Sequence, residues 1–309
     1  MKLTRIISAF FVVPICFALA QAQSPRTFIS AHGVDNTDCG SFDLPCRSFG
    51  VALAKTNAGG EVIALDSGIY DNSNIVISRA VTMAAAPGAH VELSNAVNQN
   101  ARITVNTSGA GTVMLRNLYL SRHGGGGPVN GISVNRVGTL QIENCVIEGF
   151  DQGIDAELSA SAIVFIHNTL VRKCIGDGIL MDTTAGVIKA SIDHCRFVDN
   201  GANGIQTFRN TRVTVRDSIA LGNGLAGFSV DNGGNLNLEN CEASGNQDGV
   251  QVSDFLSPGA VVVVSNSIVT NNGHNGFIQS GGVFQSLGNN VVRHNGTNTA
   301  GTITLISGT

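Results

Sequence analysis

Asp155 and Glu157 stand two residues apart, Asp182 follows Glu157 by 25, and Asp231 lies further along the chain. Side chains two apart share one face of a β-strand. Grouped carboxylates do one of two kinds of chemistry: they ligate Ca²⁺ through oxygen, or they divide acid and base roles across a glycosidic bond. These four residues form the candidate ligand-binding set, and Ca²⁺ is the one cofactor their chemistry suggests. The seven histidines, His32, His90, His123, His167, His194, His274 and His294, are scattered through turns and strand columns. No two fall at a metal-ligand spacing along the chain, so no metal site and no catalytic residue is assigned from them.

The elements that must hold these residues are written into a repeat between Val113 and Asn295. A small polar residue or its equivalent recurs at Asn117, Asn144, Asn168, His194, Asp217, Asn240, Asn266 and Asn289, in steps of 27, 24, 26, 23, 23, 26 and 23 residues. Apolar residues precede it by two and four places, as in Leu115 and Val113 or Ile142 and Leu140. Apolar or small residues return one and three places after it, as in Leu118 and Leu120 or Cys145 and Ile147. Period two on each side means strands, but the inward parity slips by one across the marker, which a continuous strand cannot do. Each marker is therefore a corner, and Asn or Asp suits it by tolerating a left-handed backbone. A second punctuation falls six residues on, at Phe150, Cys174, Asn200, Asn223, Asn246, Asn272 and Asn295. A glycine and a large apolar residue follow, as in Gly153-Ile154 or Gly204-Ile205. Three short strands per repeat cannot bury their own apolar face and must stack.

A coil of about 23 residues with three strands resembles the right-handed parallel β-helix of the pectate lyase superfamily. The fold class expected is all-β, a single right-handed parallel β-helix with a short N-terminal capping helix. The resemblance implies that the face carrying Asp155, Glu157, Asp182 and Asp231 corresponds to the polysaccharide groove of that superfamily. Lyases of this fold set an Arg or Lys beside their acidic Ca²⁺ ligands; here Arg136 and Arg209 are the basic residues near this face, both in turns. Stacking platforms for sugar rings are scarce, with no Trp and two Tyr.

Met1 to Ala22 has a basic start (Lys2, Arg5), an apolar run broken by Pro14, and an Ala20-Gln21-Ala22 end. This reads as a secretory signal peptide cleaved before Gln23, giving a secreted or periplasmic protein with no membrane span. Residues 23–60 are read as a cap, 61–296 as the β-helix and 297–309 as a C-terminal tail. In the cap, Cys39 and Cys46 bracket a short loop, and export favours a disulfide between them. Ser48 is placed to cap a short helix carrying Phe49, Ala52 and Leu53. The order leader, Cys-x6-Cys loop, short helix, Gly59-Gly60 turn and strand resembles a group of secreted bacterial β-helix repeat proteins.

The remaining cysteines invite no redox role. Cys145, Cys195 and Cys241 share one inward position with Thr169, Ser218 and Ser267, a column of small core residues. Cys174 replaces a turn asparagine and is expected to be the one partly accessible thiol. Residues 23–309 hold 16 Lys and Arg against 22 Asp and Glu, a net charge of −6, which argues against a nucleic-acid partner.

One outward column, Tyr119, Val146, Leu170, Arg196, Ile219, Glu242, Ile268 and Val291, is more apolar than a solvated face needs. Two explanations stay open: an interface with a second copy or a cell-surface partner, or a strip covered by long turns or the tail after Thr297. The function expected is non-catalytic, with solenoid faces presented to a polysaccharide or a cell-surface or protein partner. The alternative is a polysaccharide-active lyase, hydrolase or epimerase using Asp155, Glu157 and Asp182.

Overall fold

Alternating apolar residues make the strands of each repeat, and recurrence of the repeat makes the sheets. The computed structural model describes residues 23–70, 73–94, 101–109, 111–122, 129–256 and 258–307; the expected leader and His123 lie outside them. Among the described residues the strands pair in parallel, coil upon coil, into three sheets. Sheet I has 12 strands, from Ser24–Ile29 to Ile303–Leu305. Sheet II has 10, from Gly68–Tyr70 to Val291–Arg293, and sheet III has 10, from Ile75–Ile77 to Thr297–Ala300. The architecture is the expected all-β parallel β-helix with three short strands per coil.

Register stacks like on like. Leu140 lies between Val113 and Val164, and Ile142 between Leu115 and Ile166; all six are fully buried and belong to one continuous core. The parity slip appears as backbone geometry. Asn117, Asn144, Asn168, His194, Asp217, Asn240 and Asn266 have φ between 44° and 58°, the left-handed region that turns sheet I into sheet II. Asn289 departs from the expected set. There Gly288 takes the left-handed conformation (φ 76°) without a Cβ penalty. Asn289 keeps only its place in the stack, donating from Nδ2 to Asn266 Oδ1 at 2.9 Å.

The second punctuation, between sheets II and III, is a buried asparagine ladder. Asn200 donates to Asn223 Oδ1 at 2.9 Å, Asn223 to Asn246 at 2.8 Å, Asn246 to Asn272 at 3.0 Å and Asn272 to Asn295 at 2.8 Å. Each Oδ1 also accepts the backbone N–H of the residue one coil earlier, as Asn246 does from Asn223 at 2.9 Å. Cys174 takes the ladder position before Asn200, donating its backbone N–H to Asn200 Oδ1 at 3.1 Å. It is therefore buried rather than partly accessible, and burial pushes its thiol up to about 12. Cys145, Cys195 and Cys241 are buried as expected, their backbone N–H groups donating to Thr169, Ser218 and Ser267. The glycine opening each sheet III strand answers a need for closeness: a Cβ on Gly153 would lie 2.3 Å from Val171 Cγ1 and 2.5 Å from the Gly178 oxygen.

The helix Phe49–Lys55 is capped by Ser48, whose side chain accepts from the Val51 N–H. It buries Phe49, Ala52 and Leu53 over the first coil, with the Phe49 ring 5.9 Å from Tyr70. The Cys39–Cys46 disulfide forms with the Cα atoms 4.8 Å apart. No helix among the described residues is long and apolar enough to cross a membrane. The described C-terminal residues do not fold back over the outer apolar column. Thr297–Ala300 extends sheet III and Ile303–Leu305 extends sheet I, because their backbone groups find the open strand edges of the last coil.

Candidate functional site

Asp155 and Glu157 lie on the strand Ile154–Leu158 and Asp182 on Ile179–Thr183, all facing outward from sheet III. Register decides what touches what. Glu157 pairs with Asp182, while Asp155 pairs with Leu180. Asp231 ends the strand Ala226–Asp231 two coils beyond Asp182, about 10 Å away along the axis, and does not join the group.

The three carboxylates of the group have different surroundings. Asp155 is half-buried and accepts from Asn130 Nδ2 at 2.6 Å and Ser133 Oγ at 3.4 Å. Burial, aided by the neighbouring Glu157 charge, outweighs those donors and pushes its pKa up to about 6. Asp182 is held by Arg209 through both carboxylate oxygens, Nε to Oδ1 at 3.2 Å and Nη2 to Oδ2. Arg209 is a turn residue in sequence, but its long side chain reaches back one coil onto the face. A shallow depression of about 290 Å³ is lined by Glu157, Ser159, Asp182, Thr184 and Arg209. Asp231 also has a raised pKa, from burial first, against the lowering bond from Ser253. The line of Asp155 runs through Leu180 to Gln206, Ser229 and Gln251, each in register with the next, and Gln206 and Ser229 are buried.

A roomier hollow of about 490 Å³ lies at the N-terminal cap, among Gln23, Ser24, Arg26, Asp38, Ser41 and Lys55. It has one carboxylate and no pair of groups suited to acid and base work. The paired carboxylates line the smaller depression.

Sequence reasoning missed a second grouping. His167, Asp193 and His194 bring their ligand atoms within 4.8 Å of one another. Spacing along the chain hides the pair, because His167 and Asp193 are 26 residues apart and become neighbours only through register. Among the described residues the other such grouping is Asp35, Cys39 and Cys46, whose cysteines are bonded to each other.

The outward column of sheet II runs in register from Tyr119 through Val146, Leu170, Arg196, Ile219, Glu242 and Ile268 to Val291. Its ends differ. Tyr119 donates its hydroxyl to Glu148, which also accepts from Arg172 Nε at 2.5 Å, and His90 packs on the Tyr119 ring at 5.1 Å. Burial pushes the Glu148 carboxyl up, but these two donors outweigh it and hold its pKa below the ordinary value. Val146, Leu170 and Ile219 are half-buried, whereas Ile268 and Val291 are exposed at 48% and 41%.

Comparison with known proteins fits this geometry. Residues 130–296, more than half of the chain, match the family model described as a right handed beta helix region. No curated protein matches the chain in sequence. Among solved structures, the pectate lyase Pel9A is similar, with a TM-score of 0.59 and 17% identity over 89% of this chain and 80% of its own. XylC, solved with xylose, gives a TM-score of 0.55 at 10% identity, over 85% of this chain and 69% of that one. The catalytic domain of a GH87 alpha-1,3-glucanase, solved with tetrasaccharides, gives 0.51 at 12% identity, over 92% of this chain and 69% of that one. At these identities the likeness is one of fold.

Proposed function

Since the chain belongs to the right-handed β-helix family, we propose that the outer face of sheet III is a polysaccharide-binding surface of an exported protein. The observation that carries this reading is the Glu157–Asp182–Arg209 depression, which groups two carboxylates and a guanidinium on neighbouring coils of one outer face. Arg209 presents donors and the carboxylates present acceptors on adjacent coils, about 4.8 Å apart, so a sugar chain laid along the axis meets hydrogen-bonding partners on successive coils at this depression. Export is supported by the leader features of residues 1–22 and by the Cys39–Cys46 disulfide.

Asp155, Glu157 and Asp182 outnumber Arg209, the arginine that reaches the depression, which disfavours a polyanionic glycan unless a cation bridges the two. Neutral, hydroxyl-rich polysaccharides are the first class expected, with acidic ones dependent on Ca²⁺. Retention of the purified protein in affinity gels containing neutral or acidic polysaccharides, with and without Ca²⁺, tests this directly. Loss of retention in Glu157→Gln and Arg209→Ala supports the reading. Unchanged migration of the native protein in every gel overturns it.

Asp155 supports a second, catalytic reading. A carboxyl pushed up to about 6 with a second carboxyl, Glu157, two residues along the same strand face is the kind of arrangement that acid and base catalysis uses. A screen for reducing ends and unsaturated products on the same polysaccharides separates the readings. Products that vanish in Asp155→Asn establish catalysis, and retention without products leaves binding.

A further inference from the structure

The grouping at the corner between sheets I and II takes no part in the sheet III face. His167 ends the strand Ala162–His167 on the outer side of sheet I, and Asp193 is its in-register neighbour one coil on. His194 follows as the left-handed corner residue, with φ 54°. The corner folds the His194 ring back beside the strand end, so both rings gather on a single carboxylate oxygen. Nδ1 of His167 lies 2.7 Å from Asp193 Oδ2 and Nδ1 of His194 lies 3.1 Å from the same atom. The ring centroids are 5.5 Å apart, and all three side chains reach solvent.

The neighbouring charges leave this carboxylate to the imidazoles. Arg216, in register with Asp193 on the far side, is bound to Glu239 at 2.9 Å. Glu143 is in register with His167 on the near side and adds negative charge there. Beside His194 an open depression of about 330 Å³ is lined by Asn144, Asn168, Leu170 and Arg196.

We propose that His167, Asp193 and His194 form a surface binding site for a divalent transition-metal ion of the zinc class. Two imidazole nitrogens and one carboxylate oxygen are a donor set for such an ion, whereas Ca²⁺ prefers oxygen throughout. Ligand atoms of one tetrahedral ion lie about 3.4 Å apart. Their spread here is within 4.8 Å, and small rotations of exposed side chains close the difference. On binding, each neutral ring carries its proton on Nε2 and turns Nδ1 to the metal. Three protein donors leave a further coordination position open to water or to an anion entering from the depression, where Arg196 stands.

Calorimetric titration of chelator-treated, untagged protein with ZnCl₂ tests the site, and Co²⁺ supplies a visible absorption signature of histidine ligation. One Zn²⁺ per chain is expected. Affinity should fall about tenfold or more in His194→Asn and in His167→Gln. His194→Asn installs the residue that the corners at Asn144, Asn168 and Asn240 already use, so the fold is retained and a loss of binding is assignable to the ligand. Absence of zinc binding by the native protein, or an affinity in both variants unchanged from the native protein, overturns the proposal.

Discussion

At the corner between sheets I and II, Asn144 and Asn168 are exposed and joined by one amide contact of 2.8 Å. At the turn between sheets II and III, Asn200, Asn223, Asn246 and Asn272 are no more than 2% exposed. Asn223 there donates to Asn246 Oδ1 and to the Phe197 oxygen, and accepts from the Asn200 amide and backbone N–H. The same residue type serves two needs. The corner requires a backbone that accepts positive φ, and the side chain, bonded at most to its neighbour in the stack, faces solvent. The inner turn requires an amide whose donors and acceptor are all satisfied away from water. The corner therefore tolerates His194 and Asp217, and it is where new chemistry can enter without disturbing the core. The ladder admits other residues only before Asn200, at Cys174 and Phe150.

Replacing a ladder residue is the strongest way to break this contrast. Asn223→Ala removes those bonds and strands buried partners on both adjoining coils, so a loss of about 3 kcal/mol is expected in urea unfolding. Less severe is Asn168→Ala, where the left-handed backbone alone costs about 1–2 kcal/mol and Asn168→Gly should recover most of it. Equal losses at the two sites would erase the distinction.

The smallest effect sharpens the comparison by asking what a charged group costs in place of a neutral amide. The folded-state pKa of Asp155, about 6, lies above its ordinary 3.8, so the folded state binds more protons than the unfolded state between those values. Its contribution to stability falls as pH rises through that window, and the penalty is complete above it. Asp155→Asn keeps an acceptor for Asn130. It should raise stability at pH 7 by about 1 kcal/mol, allowing for solvent screening at its exposed edge, and leave stability near pH 4 unchanged. A flat difference across that range would show that the carboxyl is not perturbed.

Much of the scaffold was legible in the sequence. The step of 23 to 27 residues, period two on each side of a marker and the parity slip fixed parallel strands and left-handed corners. Those signals are local, because strand geometry and left-handed tolerance belong to single residues and their immediate neighbours. The Cys39–Cys46 bond and the Ser48 cap were legible for the same reason.

Only the tertiary structure decided which side chains meet. The coils differ in length, so register rather than spacing set Asp155 against Leu180 and Glu157 against Asp182. The reach of Arg209 onto the face depends on a flexible side chain leaving a turn, which residue type alone does not direct. Burial of Cys174 follows from its ladder partner one coil away, and His167 meets Asp193 and His194 only when coils stack. Sequence determined the period and the faces of this protein. Contacts between coils come from stacking at about 4.8 Å, a distance that the order of residues along one chain does not encode.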